Sequence, residues 1–234
     1  MTNLVSSFTA LCFGVPTALL VLSHLGNAQN EAREFRKTRA QATREIADFQ
    51  AAILDPFAAA DIAQLKEMVT EAQRSLNCAR DASRTDGGQG ADAFEDFVTA
   101  LADLIKPDLL TPPGTRPYHL FTQRRQTKEQ LWPSMNSWEE LVKSQWKILA
   151  DEVRPQARDA ALPWLPLPQA ARAHRSVAQL QMQGRNPWKL GNDVAGNGLL
   201  VVCGYFLTDL LDLCQAALDL SDQYPPQSRL SSNS

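Results

Sequence analysis

Asp209 and Asp212 stand one helical turn apart, a D-x-x-D spacing that sets two carboxylates on one helix face. Two hard oxygen donors of this kind begin a magnesium site, and with Asn192-Asp193 upstream they suggest a magnesium-diphosphate centre like that of helical terpenoid enzymes. Such a centre draws on a second acidic cluster, and the chain has none at a matching distance. Asp92, Glu95 and Asp96 are read as N-terminal helix charges that complement the dipole. His24, His119 and His174 lack partners at ligand spacing, and Cys12, Cys78, Cys203 and Cys214 form no C-x-x-C pair. The cysteines read as small buried hydrophobes, with a disulfide framework as the alternative. There is no H-E-x-x-H, no G-x-S-x-G and no G-x-x-x-x-G-K-[ST]. No motif calls for a cofactor, and beyond the weak pair Asp209 and Asp212 none calls for a metal.

Composition limits the function classes further. Hydrophobic residues make up 44% and charged residues 21%, which describes a folded chain. A net charge of −3 and a pI near 5.6 give no global electrostatic case for nucleic acid. Ala, Leu, Gln, Asp and Arg dominate while β-branched and aromatic residues are sparse, so helix is favoured over sheet.

The elements that would position these residues follow from periodicity. Phe35, Thr38, Ala42, Ile46, Phe49 and Ile53 share one face of a helix predicted over 29–55, after a break at Gly26-Asn27. Asp61 with Gln64 forms a capping box that opens a second helix, buried along Ile62, Leu65, Met68, Val69, Ala72, Leu76 and Ala79. A third runs from about Asp92 to Lys106 with Phe94, Phe97, Val98, Leu101, Leu104 and Ile105 inward. Prolines 107, 112, 113, 117 and 133 then predict a crossing loop or linker over 107–136, with room for a short helix from Thr122 to Leu131. Arg116, Arg124, Arg125 and Lys128 within it are the best local match for an anionic partner, against a plain solvated loop. Ser137 and Glu140 read as a capping box opening a helix to about Val153. A second proline-rich crossing follows, in which Trp164-Leu165-Pro166-Leu167 is expected to plug a core. A helix over 169–183 and a last, uncharged helix from Val194 to Thr208 and beyond complete the set. The last is read as a core helix, because its aspartates would cost about 2.5 to 3.5 kcal/mol each at a bilayer centre.

The most unusual stretch is Leu4 to Leu25, 22 residues without Asp, Glu, Lys or Arg. As a helix it would cover about 33 Å, the hydrocarbon thickness of a bilayer. Three readings stand. A membrane element would use Leu4, Phe8, Leu11, Phe13, Leu19, Leu20 and Leu22 as lipid contacts, with Arg33, Arg36, Lys37 and Arg39 as a basic interfacial flank that holds the body in the cytoplasm. A core helix of a cytoplasmic, soluble bundle would be apolar all round because neighbours surround it. A secretory leader would be cleaved after Ala28, although Met1-Thr2-Asn3 supplies no basic residue.

Glu34-Phe35-Arg36 and the Ile46, Phe49, Ile53 pattern behind an apolar first helix resemble the start of fungal STAND-receptor N-terminal domains and HeLo-type cell-death domains. The resemblance covers residues 4–80; Thr38 stands where those domains carry Leu, and the half after Pro107 has no counterpart in them. It implies a helical bundle whose first helix acts on membranes after self-association.

Taken together, the expectation is an all-α protein of about six or seven helices with two proline-rich crossing loops. Its parts would be an apolar helix over 1–26, a helical bundle over 27–106, the crossing 107–136, a second helical layer over 137–222 and a disordered tail over 223–234. The expected function is that of a membrane-associated, non-enzymatic interaction protein, in signalling or cell death, whose partners are membrane lipid and a protein or a second copy. A soluble enzyme with a carboxylate and magnesium site on the last helix, and a secreted helical protein, are the alternatives.

Overall fold

The computed structural model describes the backbone of residues 2–84, 89–107, 109, 124–182, 184–189 and 197–225, and the side chains of 27–84, 91–107, 109, 134–182, 184–188 and 198–225. The described residues form an all-α helical bundle without a strand. In chain order the helices are α1 (Thr2–Leu54), α2 (Ile62–Ala82), α3 (Gln89–Asp103) and α4 (Arg124–Ile148). A π-helical turn (Leu149–Val153) carries α4 into the short α5 (Arg154–Asp159), and α6 (Leu167–Leu180), a 3-10 turn (Pro187–Lys189) and α7 (Asn197–Gln223) follow.

The break expected at Gly26-Asn27 is absent: α1 is one helix of 53 residues, about 80 Å long at 1.5 Å per residue. A lone Gly-Asn step costs a helix about 1 to 2 kcal/mol, which strong formers on both sides (Leu-rich before, Ala/Glu/Arg-rich after) outweigh. α2 begins as its capping box requires. Gln64 N–H donates to Asp61 Oδ1 at 2.8 Å, and the Gln64 side-chain oxygen accepts from Ala60 N–H at 2.7 Å. The expected buried set of α2 is found, with Met68 at its edge. Phe57 and Ile105 pair in an isolated antiparallel bridge that closes the mouth between α1, α2 and α3.

The limits of α4 and α6 differ from expectation. Ser137 does not cap a helix, because α4 is already under way at Arg124 and passes through Pro133. Proline in a helix interior costs about 3 kcal/mol; on the next turns Met135, Trp138 and Val142 are fully buried and hold the helix in place. At its far end α4 does not stop at Val153. Pro155 has no N–H for the carbonyl four residues back, and the widened π-helical turn immediately before it lets the helix continue to Asp159. Helix α6 spans Leu167–Leu180, so it begins and ends earlier than 169–183, and Gly184 takes a φ of +83° just beyond it. The expected cap of α7 at Asn192 or Asp193 lies outside the described residues, as does the tail beyond residue 225.

One continuous core joins helices from both halves of the chain. Helix α7 is its centre and packs on α2, α6 and α1, while α4 packs on α1. Side chains fasten α7 in place: Gln50 Nε2 donates to Ala217 O at 3.2 Å, and Lys66 Nζ donates to Gln215 Oε1 at 2.7 Å. Trp138 is the aromatic hub. Its ring meets Phe57 edge-on at 5.4 Å and Phe206 at 6.1 Å, and its Nε1–H donates to Ile53 O at 3.2 Å. The packing therefore mixes the bundle expected over 27–106 with the layer expected over 137–222.

Candidate functional site

The stripe that buries α1 steps through Ala42, Ile46, Phe49 and Ile53, all within 2% of full burial. Going back along the helix the cover ends. Thr38 and Arg39 are half-buried, and every residue from Asn27 to Lys37 is exposed. That is about 16 Å of helix, three turns, exposed at every position. Phe35 is 40% exposed there, on the same face as the buried stripe. Among the basic side chains expected to flank a membrane element, Arg33, Arg36 and Lys37 are exposed, whereas Arg39 turns partly into the body, where its charge reaches Tyr224. The proposed lipid contacts Leu4, Phe8, Leu11, Phe13, Leu19, Leu20 and Leu22 lie in the helical backbone of α1, but their side chains are outside the described residues. So are those of Arg124, Arg125 and Lys128.

Helix α7 is long and apolar enough to cross a membrane, by length and composition. It is instead the core helix that its aspartates predicted. In its most apolar window 61% is buried, and Cys203, Phe206, Leu207, Leu210, Leu213 and Cys214 are fully enclosed. Burial pushes both thiols up to about 12, so neither is a nucleophile at neutral pH. Cys78, expected buried, is exposed on α2.

The aspartate pair sits at the contact of α6 and α7. Asp209 is 4% exposed and Asp212 half-buried. The Ser176 hydroxyl of α6 stands between them; it donates to Asp212 Oδ2 at 3.4 Å and lies against Asp209. Burial raises the Asp209 carboxyl from 3.8 to about 6. The Arg185 guanidinium and Ser176 oppose that rise, and the Asp212 charge adds to it. Arg185 itself lies over the Tyr205 ring, 4.1 Å from its centroid. Asp209 Oδ2 is buried and has no hydrogen-bond partner among the described residues. Magnesium demands a near-octahedral shell of oxygens. Among the described residues no group of three or more His, Cys, Asp or Glu side chains comes together at these two carboxylates or elsewhere.

Ser176, Arg185 and Tyr205 were not singled out from sequence, since each comes from a different segment and none belongs to a motif. A second buried polar cluster also escaped: Asn186 Nδ2 donates to Glu139 Oε1 at 2.8 Å, and Asn186 Oδ1 accepts from Trp188 N–H at 2.9 Å. Glu139, read as part of a capping sequence, is 4% exposed and pins the 3-10 turn to α4. No protein-family model matches this chain, and no curated protein or solved structure is similar to it by sequence or fold comparison.

Proposed function

We propose that this is a membrane-associated helical protein that works by contact, with the apolar half of α1 as the element that enters or lies against a bilayer. The observation that carries the reading is the exit of α1 from the body. A helix that is solvent-exposed at every position from Asn27 to Lys37 leads without a break into a 22-residue stretch free of charged side chains. A core helix would need cover at the point of exit, and among the described residues 27–37 stay exposed even where Gln156–Ala161 come alongside. Arg33, Arg36 and Lys37, free in solvent just past the uncharged run, suit anionic headgroups and the cytoplasmic side of a membrane. The resemblance of residues 4–80 to HeLo-type domains agrees with this reading and adds self-association, in signalling or cell death, as the mode of action.

Alkaline-carbonate extraction of membranes from cells that express the full-length protein and a version lacking residues 1–28 tests it. Pelleting of the first and release of the second is the expected result. Release of both would abolish the membrane reading.

A further inference from the structure

From the end of α5 into the first turns of α6 the chain carries no charged side chain, Ala160 to Ala171, bounded by Asp159 and Arg172. Its backbone is firmly held. Leu162 N–H donates to Ala157 O at 2.8 Å, Tyr224 Oη donates to Pro163 O at 2.6 Å, and Leu165 is buried beneath it. Ala161 takes a φ of +53°, left-handed for a residue with a Cβ, at the reversal of the chain. The loop so fixed leaves apolar groups at the surface: Leu167 is 72% exposed and Pro163, Pro166 and Pro168 face solvent, while Trp164 is half-buried, one side against the core and the other open beside Leu167. Of the Trp164–Leu167 patch expected to plug the core, Leu165 is buried in it and Trp164 packs against it, while Pro166 and Leu167 stay outside.

Its position supplies the occupant. Ala160 and Ala161, with Gln156 and Asp159, line a cleft of about 650 Å³ along α1 whose α1 side runs from Thr38 to Ala28 at its near end and includes Glu31 and Glu34. Ala28 is three residues from the end of the uncharged run at Leu25, about 5 Å along the helix. The headgroup layer of one leaflet is about 5 to 8 Å deep. Tryptophan is the side chain that favours this layer, with an apolar ring and a polar N–H. Exposed Arg154, Arg158, Arg172 and Arg175 border the loop, interleaved with exposed Asp151, Glu152 and Asp159, and the arginines are the side chains that can meet lipid phosphates.

We propose that the Ala160–Leu167 loop is a second membrane contact, in which Trp164 and Leu167 enter the interfacial layer of the bilayer that receives α1 while the bordering arginines meet anionic headgroups. This rests on the membrane reading of α1 and names the end of the body that faces the lipid. The test uses full-length protein bound to phosphatidylcholine vesicles with a minor share of phosphatidylglycerol, made with or without acyl chains brominated near the headgroup. Trp138, Trp146 and Trp188 are at most 8% exposed and report little from lipid bromine; a Trp132→Phe background removes the remaining indole. Trp164→Phe is expected to abolish at least half of the bromine-dependent quenching while flotation persists. Leu167→Lys, at a site open enough to leave folding intact, is expected to lower the quenching of Trp164 about twofold. Equal quenching of floated Trp164→Phe and parent protein overturns the loop contact and leaves α1 as the membrane element. Trp164 that is unquenched yet shielded from aqueous acrylamide also overturns it, in favour of a protein partner at the loop. Failure of the parent protein to float removes both proposals together.

Discussion

Replacing Asp209 by Asn should stabilise the protein at neutral pH, and the gain should vanish in acid. Asp209 is a near-isosteric site for the change: 4% exposed, with one carboxylate oxygen buried and without a partner among the described residues. The folded protein holds this proton up to about pH 6, whereas an unfolded chain releases it near 3.8. Because the folded state binds more protons between those values, its stability falls as pH rises through that window. A displacement of that size corresponds to about 3 kcal/mol at about 1.4 kcal/mol for each pH unit. The neutral amide avoids that loss, but it forgoes the attraction of Arg185, so a net gain of about 1 to 2 kcal/mol at pH 7.5 is expected. Urea unfolding followed by tryptophan fluorescence, in mild non-ionic detergent at pH 4 and pH 7.5, measures both limits. Near pH 4 the two proteins should unfold within about 0.5 kcal/mol of each other. If Asp209→Asn were the less stable protein at pH 7.5, or if it kept the parent's loss of stability between pH 4 and 6, the assignment of that loss to a buried carboxylate would be refuted.

Three other outcomes follow from particular contacts. The Arg80 guanidinium crosses from α2 to donate to Leu200 O at 2.8 Å and lies where a Cβ on Gly204 would stand. Gly204→Ala should therefore cost about 1 to 3 kcal/mol despite its better helix propensity, and much less in an Arg80→Ala background, as a double-mutant cycle would show. Trp138→Phe removes the donor to Ile53 O and leaves a void beside Phe57 and Phe206. A loss of about 2 to 4 kcal/mol, read as a fall in the thermal midpoint, is expected. Leu19→Arg places a charge inside the uncharged run, at a cost of about 2.5 to 3.5 kcal/mol for a membrane helix. It should shift the protein from the carbonate pellet to the supernatant without changing the cooperativity of unfolding of the body.

The helical class was legible because the information is local. The capping box at Asp61 and the 3–4 stepping of Leu65, Val69, Ala72 and Leu76 need only a few neighbouring residues to be read, and the structure follows them closely. The limits of α4 were not, because Pro133 and Pro155 are helix breakers by local chemistry and are accommodated by distant packing and by a π-helical turn. The same distinction holds at the candidate sites. The D-x-x-D pair is visible in a four-residue window. Its actual environment, a serine from α6 and an arginine beyond Gly184, is assembled only by the fold. Exposure of residues 27–37 was likewise hidden, since alternating Glu and Arg can equally face solvent beside a body or stand clear of it.

The unbroken path of α1 also ties two distant regions by angle. Each residue of an α-helix turns the chain by about 100°, so the face that the uncharged run presents is set by Ile46, Phe49 and Ile53 in the core. One residue inserted between Asn27 and Lys37 would lengthen the helix by only about 1.5 Å but would swing the run by more than a quarter turn. Seven inserted residues would move it about 10 Å outward and return it to within about 20° of its original direction. The exposed turns therefore act as a rotary coupling, whose phase matters more than its length to whatever the run meets.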